Sequence, residues 1–277
     1  MNIEREIEWP RKYNLFGIQL SATTYGETIE AILQAARQRT PAVASFHAAH
    51  AVITASTDPQ LAERVNTFQI VAPDGQPVRW ALNLLHRTGL KERVYGPELM
   101  RRLTERAAAE GVSIYLYGGS EQVIEALQSN LQQRHPELKI AGAESPPYRP
   151  LTDEEDAAAV KRINDSGAGI VFIGLGAPKQ DHFAYEHSKR IEAVQVCVGA
   201  AFDFHAGAQK TAPVWMQRRG LEWLFRLGQE PRRLWRRYLV TNTLFLKSLA
   251  MQWLGLKWSN KRLATGPHSN QEQLSGT

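Results

Sequence analysis

The sequence predicts an α/β fold: a parallel sheet with helices on both faces and a helical, basic and aromatic appendage at the C-terminal end. Short apolar runs without polar alternation are interleaved with amphipathic stretches of helical length, the pattern of a parallel sheet covered on both sides. That interleaving stops near residue 207, and charge divides at the same place. Of 33 basic and 28 acidic residues, 12 and 3 lie from Ala208 onward, a net +9, whereas 21 and 25 lie before it, a net −4. The expected organisation is an α/β domain over 1–207, a helical segment over 208–258 and a polar tail over 259–277 that is expected to be disordered.

Taken in order, "NLFGIQLS" reads as a strand and "TYGETIEAILQAARQR" as a helix. "AVASF" is a strand, followed by a short helical stretch around "HAVITAS". "FQIVAPDG" is a strand and loop, and "QPVRWALNLLHRTG" a helix with Pro77 near its first turn. "PELMRRLTERAAAEG" is a helix ended by Gly111. "VSIYLYGG" is a strand, and Ser120 can cap the helix that follows. "LKIAGA" is a strand, and Thr152 with four acidic residues opens the next helix. "AGIVFIGLG", a helix entered through Pro178, and "AVQVCVGAAFDF" complete the sheet pattern.

The balance of 22% charged and 43% hydrophobic residues is globular. The single cysteine, Cys197, excludes an internal disulfide and a cysteine-built metal site, and its apolar context predicts burial. The N-terminus is charged and lacks a signal core, and no stretch approaches the roughly 18 uninterrupted apolar residues of a membrane span. These features predict a cytoplasmic protein, soluble or bound peripherally to a membrane. No H-E-x-x-H, paired-His or D-x-D pattern is present, so no metal is expected.

Ligands of open parallel sheets bind beyond the carboxyl ends of the strands, which selects four loops. In "VAPDGQPV", Asp74 stands at a strand end, where a carboxylate can act as a general base; Asp-Gly is also an ordinary turn. In "YLYGGSEQV", Gly118 and Gly119 allow close backbone approach, and the following helix start favours phosphate; a tight structural turn explains them equally well. In "GLGAPKQD", Gly176 precedes a helix whose first turn holds Lys179 and Gln180. A lysine beside a positive helix end is unfavourable unless an anion is bound or the side chain reaches solvent. In "VGAAFDFHAG", Asp203 either binds a ligand or caps a turn, and His205 reads as structural.

The motifs "APDGQPV", "ERVYGPELM", "YLYGGS", "GLGAPKQD", "VGAAFDFHAG" and "APVWMQRRGLEWLFRLGQEPRRLWRRY" occur in that order. This series resembles the WecG/TagA/CpsF family, glycosyltransferase family 26, from about Asn14 to about Leu246. The resemblance implies a Rossmann-like α/β domain with a C-terminal helical appendage that contacts the inner face of the cytoplasmic membrane. It implies an inverting, metal-independent transferase without a cofactor. Such enzymes move a sugar from a nucleotide donor, commonly UDP-linked, to a saccharide on polyprenyl pyrophosphate, for a bacterial teichoic acid, common antigen, capsule or exopolysaccharide. The family's base falls on Asp74, its phosphate-binding arginine on Arg93, its donor-side glutamine on Gln180 and its nucleotide-side aspartate on Asp203. Three positions depart from the pattern. The family's T-x-N is "SFH", which puts Ser45 and His47 at the expected pocket wall. The acid of P-K-Q-E is Asp181, and the arginine of R-A-P is Thr211, beside Lys210.

In the basic segment, Arg226, Arg232, Arg233, Arg236 and Arg237 interleave with Trp223, Trp235 and Tyr238, a pairing suited to lipid headgroups or to the acceptor's pyrophosphate. An amphipathic helix packed on the body or on a sister chain fits the same pattern, so a homo-oligomer stays open. Two other functions compete. An arginine- and aromatic-rich tail can bind nucleic acid, which an acidic body argues against, so no nucleic-acid partner is expected. A nucleotide-sugar oxidoreductase would need a G-x-G-x-x-G near the N-terminus, which is missing.

Overall fold

A computed structural model describes residues 6–264, the side chains of Val214, Arg233 and residues 256–264 excepted. Six strands form one parallel sheet in the order β4-β3-β8-β7-β5-β6. They are β3 (Ala42–His47), β4 (Ile70–Pro73), β5 (Ile114–Gly118), β6 (Ile140–Glu144), β7 (Ile170–Gly174) and β8 (Val194–Cys197). The uniformly apolar runs follow from burial of both faces. In β7, Ile170 and Phe172 enter one core while Val171 and Ile173 enter the other, and all four are fully buried.

The first core is closed by α1 (Tyr25–Arg37), α5 (Gly96–Ala109), α6 (Glu121–Arg134) and α9 (Ala201–His205). The second is closed by α2 (Ala49–Thr57), α3 (Pro59–Asn66), α4 (Gln76–His86), α7 (Asp153–Asp165) and α8 (Lys179–Glu186). Local signals start several of these helices. Thr24 with Glu27 and Thr152 with Glu155 form capping boxes, and Ser120 accepts from the Val123 amide. Each such cap is worth about 1 kcal/mol.

Three readings change. "NLFGIQLS" is not one strand of the main sheet. It is an antiparallel hairpin, β1 (Lys12–Leu15) and β2 (Ile18–Ser21), because Phe16 and Gly17 both turn to positive φ, 57° and 91°. A further helix, α3, precedes β4; Asp58 caps it, accepting from the Gln60 and Leu61 amides, with Pro59 at its first position. The last strand ends at Cys197, not in "AFDF". The chain turns at Gly199, φ +53°, and Asp203 lies inside the short helix α9.

The basic segment forms α10 (Val214–Arg218), α11 (Glu222–Gln229) and α12 (Pro231–Ala264). One side of α12 packs on the body. Phe245 is buried with its ring edge-on to Phe16 at 5.2 Å, and Gln252 accepts from the Phe16 amide at 2.8 Å and donates to Asn14 O at 2.9 Å. The other side exposes Trp235, Leu239, Leu246, Met251 and Leu254. Among the described residues no helix is long and apolar enough to cross a membrane. The part of the expected tail beyond Ala264 lies outside the described residues.

Candidate active site

Asp74 follows the last residue of β4, where backbone bonding fixes it from two sides. Its amide donates to His47 O at 3.1 Å, and the Val94 amide donates to Pro73 O at 3.0 Å, drawing the Arg93 loop against the strand end. Arg93 Nη2 donates to Glu222 Oε2 at 2.5 Å, and its guanidinium lies 4.4 Å over the Tyr95 ring. Arg226 Nη2 is 3.7 Å from the other Glu222 oxygen, its guanidinium 5.1 Å from the Phe204 ring centre. Two carboxylates and two guanidiniums thus converge from β4, the loop before α5, and α11. Burial is the largest influence on the Asp74 carboxyl and pushes it up. The Arg93 charge opposes, the Glu222 charge adds, and Arg226 and the Gly96 amide oppose; the outcome is a pKa of about 6. That is the range in which a carboxylate serves as a base near neutrality.

Beside this group lies a cavity of about 800 Å³ between α4, α5, α9 and α10. Arg79, Lys91, Arg93, Arg102, Arg134 and Arg218 line it against two acids, Glu92 and Glu98. Such a wall favours an anionic ligand. His205, on the same wall, is held at 2.8 Å to Pro97 O, and burial lowers its pKa, so it is fixed and neutral.

A second polar group lies at the neighbouring strand ends. Ser45 Oγ donates to Asp181 Oδ1 at 2.7 Å; His47 Nε2 lies 3.1 Å from Ser45 Oγ and 3.4 Å from the same Asp181 oxygen. All three are at most 1% exposed. Ser45 and His47 were expected at a pocket wall and are instead sealed inside, joining β3 to the first turn of α8. Aspartate is one methylene shorter than glutamate, and here that carboxylate closes on Ser45. Next to them Gln180 is also buried, its Nε2 donating at 3.5 Å to Cys197 O. Gly199 needs its positive φ there, and a Cβ on it would lie 3.2 Å from Gln180 Oε1.

The remaining candidates divide. Gly118 answers to packing: a Cβ would fall 2.6 Å from the Gly174 carbonyl carbon. Gly119, φ +72°, faces Val123 and Phe202, and Gly176, φ +73°, faces open space. Lys179 is exposed, its ammonium 5.7 Å from the Tyr148 ring centre. Asp203 is half-buried on α9. Of the tail arginines, Arg226 reaches the Asp74 group, whereas Arg232, Arg236 and Arg237 are exposed on α12 and the Arg233 side chain lies outside the described residues. Among the described residues no group of His, Cys, Asp and Glu is arranged to hold a metal.

Glu222 escaped the sequence reading. Its signal was a lone acid in "GLEWLFRL", one of three from Ala208 onward. An acid retained there needs a cationic partner when it is 9% exposed.

The profile of the Glycosyl transferase WecG/TagA/CpsF family matches residues 13–259. An N-acetylglucosaminyldiphosphoundecaprenol N-acetyl-beta-D-mannosaminyltransferase of Staphylococcus aureus (strain MW2) is 29% identical over 228 residues, covering 81% of this chain and 87% of the relative. The protein of the same name from strain COL is 30% identical over 218 residues, 78% of this chain and 84% of the relative. The matched span contains the sheet, the Asp74–Arg93 edge and the α11 helix that completes it, and the chain belongs to the WecG/TagA/CpsF family of glycosyltransferases.

Proposed function

We propose that this glycosyltransferase moves a sugar from a nucleotide diphosphate donor to a saccharide carried on a polyprenyl diphosphate. The observation that carries the reading is the Asp74 carboxyl, raised to about 6 at a strand end and flanked by Arg93 and Arg226. In this reading Asp74 takes the proton of the acceptor hydroxyl as its oxygen attacks the anomeric carbon. The bond from that carbon to the diphosphate breaks on the opposite face, which inverts the configuration. The electron pair leaves with the nucleotide diphosphate, whose charge Arg93 offsets with no metal taking part. Gly118, Gly119, Gly176, Lys179, Gln180 and Asp203, at the exits of β5, β7 and β8, are assigned to the donor, which we take to be UDP-linked. Ser45, His47 and Asp181 join the end of β3 to the first turn of α8, the helix that carries Gln180. The exposed arginines and tryptophans of residues 208–258 seat the enzyme on the inner, anionic membrane surface where a polyprenyl acceptor resides. The relatives' names, which specify N-acetylmannosamine transfer to an N-acetylglucosaminyl diphosphoundecaprenol, support this choice of acceptor class.

The test is a panel of UDP-sugars scored by protection against thermal unfolding and by transfer, with parent protein and Asp74→Asn. A donor that protects both proteins and is transferred only by the parent is the expected result. Undiminished transfer by Asp74→Asn removes Asp74 from the base role.

A further inference from the structure

The cavity beside Asp74 contains more than its cations. Gln76 and Tyr95 line it, are 9% and 7% exposed, and each has a buried polar atom without a hydrogen-bond partner: Gln76 Oε1 and the Tyr95 hydroxyl. A buried polar atom left unpaired costs about 1–3 kcal/mol, so an orphaned pair on one cavity wall calls for an explanation. Neither side chain is loose. The Gln76 amide nitrogen donates weakly to Gln217 O at 3.5 Å and Arg218 O at 3.4 Å, which leaves its oxygen spare. The Tyr95 ring is held under the Arg93 guanidinium, and its amide donates to the Tyr25 hydroxyl at 2.9 Å. Its own hydroxyl makes no well-formed hydrogen bond although the Glu222 carboxylate is close enough to act on it, and burial first and then the Glu222 charge keep the proton on it. With the unpartnered Arg79 Nε, the wall therefore offers one neutral acceptor and one hydroxyl, both fixed, beside the Arg93 guanidinium, and Gln76 is two residues from Asp74.

We propose that Gln76 and Tyr95 are specificity-determining residues that read the polar groups of the acceptor sugar, whose diphosphate lies along the arginine wall. This rests on the function proposed above. The ligand chemistry is a sugar ring with hydroxyl and amide hydrogens joined to a diphosphate. Gln76 Oε1 accepts from one such hydrogen, the Tyr95 hydroxyl bonds another group, and the Tyr25 and Phe204 rings supply apolar wall. Donor and acceptor share that chemistry, but geometry separates them. Of the residues assigned to the donor, Arg93 stands on this wall, where the two diphosphates would meet, whereas Gly118, Gly119, Gly176, Lys179, Gln180 and Asp203 are absent from it; Thr211, Gln217 and Arg218 of the segment leading to the exposed tryptophans belong to it.

Binding separates this proposal from the one it rests on. Affinities of the parent, Tyr95→Phe and Gln76→Met are measured for inorganic pyrophosphate, for N-acetylglucosaminyl diphosphate on a short prenyl chain, and for the UDP-sugar that best protects the parent. Tyr95→Phe removes one unpartnered oxygen and keeps the ring under Arg93, so its fold, checked by thermal unfolding, is retained. The parent should bind the glycosyl diphosphate more tightly than pyrophosphate. Each variant should lose about tenfold of that gain with pyrophosphate and UDP-sugar affinity unchanged, since one hydrogen bond is lost. In transfer assays the acceptor KM should rise and kcat hold. An unchanged gain, an equal loss for pyrophosphate, a loss directed at the UDP-sugar, or a parent that binds both diphosphates alike overturns the proposal. Failure of the parent to transfer any sugar counts against the proposed function instead, and the binding gain still decides the subsite.

Discussion

Two polar groups sit at neighbouring strand ends of one sheet, and they are built on opposite terms. Asp74, Arg93, Glu222 and Arg226 gather four charges beside a cavity that Arg93 lines, and leave one carboxyl raised to about 6. Ser45, His47 and Asp181 form a sealed group tied together by the Ser45–Asp181 and Ser45–His47 contacts, with His47 Nδ1 left without a partner. The first keeps electrostatic tension next to a cavity, as functional sites do. The second spends its polarity on joining β3 to α8, which fixes the helix start that carries Gln180. Charge gathered beside a cavity, more than polarity, distinguishes the proposed reacting edge from its support.

Asp74→Asn breaks the comparison most directly. Transfer should fall by about 10²–10⁴-fold, the usual worth of a general base, as measured with saturating donor and acceptor. The same substitution should stabilise the fold. An aspartate raised from 3.8 to about 6 destabilises the folded state once pH exceeds its unfolded value, and fully above the folded one. The gain for Asn should therefore be largest above pH 6, up to about 3 kcal/mol from a shift of about two units, and should vanish towards pH 3; urea unfolding at several pH values reads it. Glu222→Ala comes next. Leaving two largely buried guanidiniums without their carboxylate should cost about 3 kcal/mol, measured in the same unfolding experiment.

On the sealed side, Ser45→Ala removes a hydrogen bond to a buried carboxylate. It should cost about 2 kcal/mol of stability while the donor KM stays put; a change in KM without a stability loss would put Ser45 at a ligand and erase the distinction drawn above. A smaller effect sharpens the charged side. The rate should show an acidic limb near pH 6 from Asp74, and Glu222→Gln should move that limb to lower pH, because one negative neighbour that raises Asp74 is gone. Smallest for the fold is Trp235→Ser with Arg236→Gln. Both side chains are exposed, so stability should change by no more than about 0.5 kcal/mol, while sedimentation with anionic vesicles should drop. That pair is a cleaner probe than truncation at Ala208, which would also remove Glu222, Arg226 and the buried Phe245.

Much of the fold was written locally. Both-faces burial makes each strand of the main sheet a solid apolar run, caps such as Ser120 and Thr152 mark helix starts, and Asp74 follows directly from the end of β4. These are decided within a few residues, so the sequence alone determined the parallel sheet, its helices and the strand ends where a ligand belongs. What it did not determine are pairings across long stretches of chain. Arg93 meets Glu222 over 129 residues and Ser45 meets Asp181 over 136. Neither separation leaves a period or a turn signal behind. Phe16 and Gly17 turned a strand into a hairpin through two backbone angles, and Phe245 and Gln252 docked a basic helix whose outer face alone had been legible. Burial and charge compensation exist only once distant segments share a volume, so the tertiary structure decided which polar residues are sealed and which remain at the cavity.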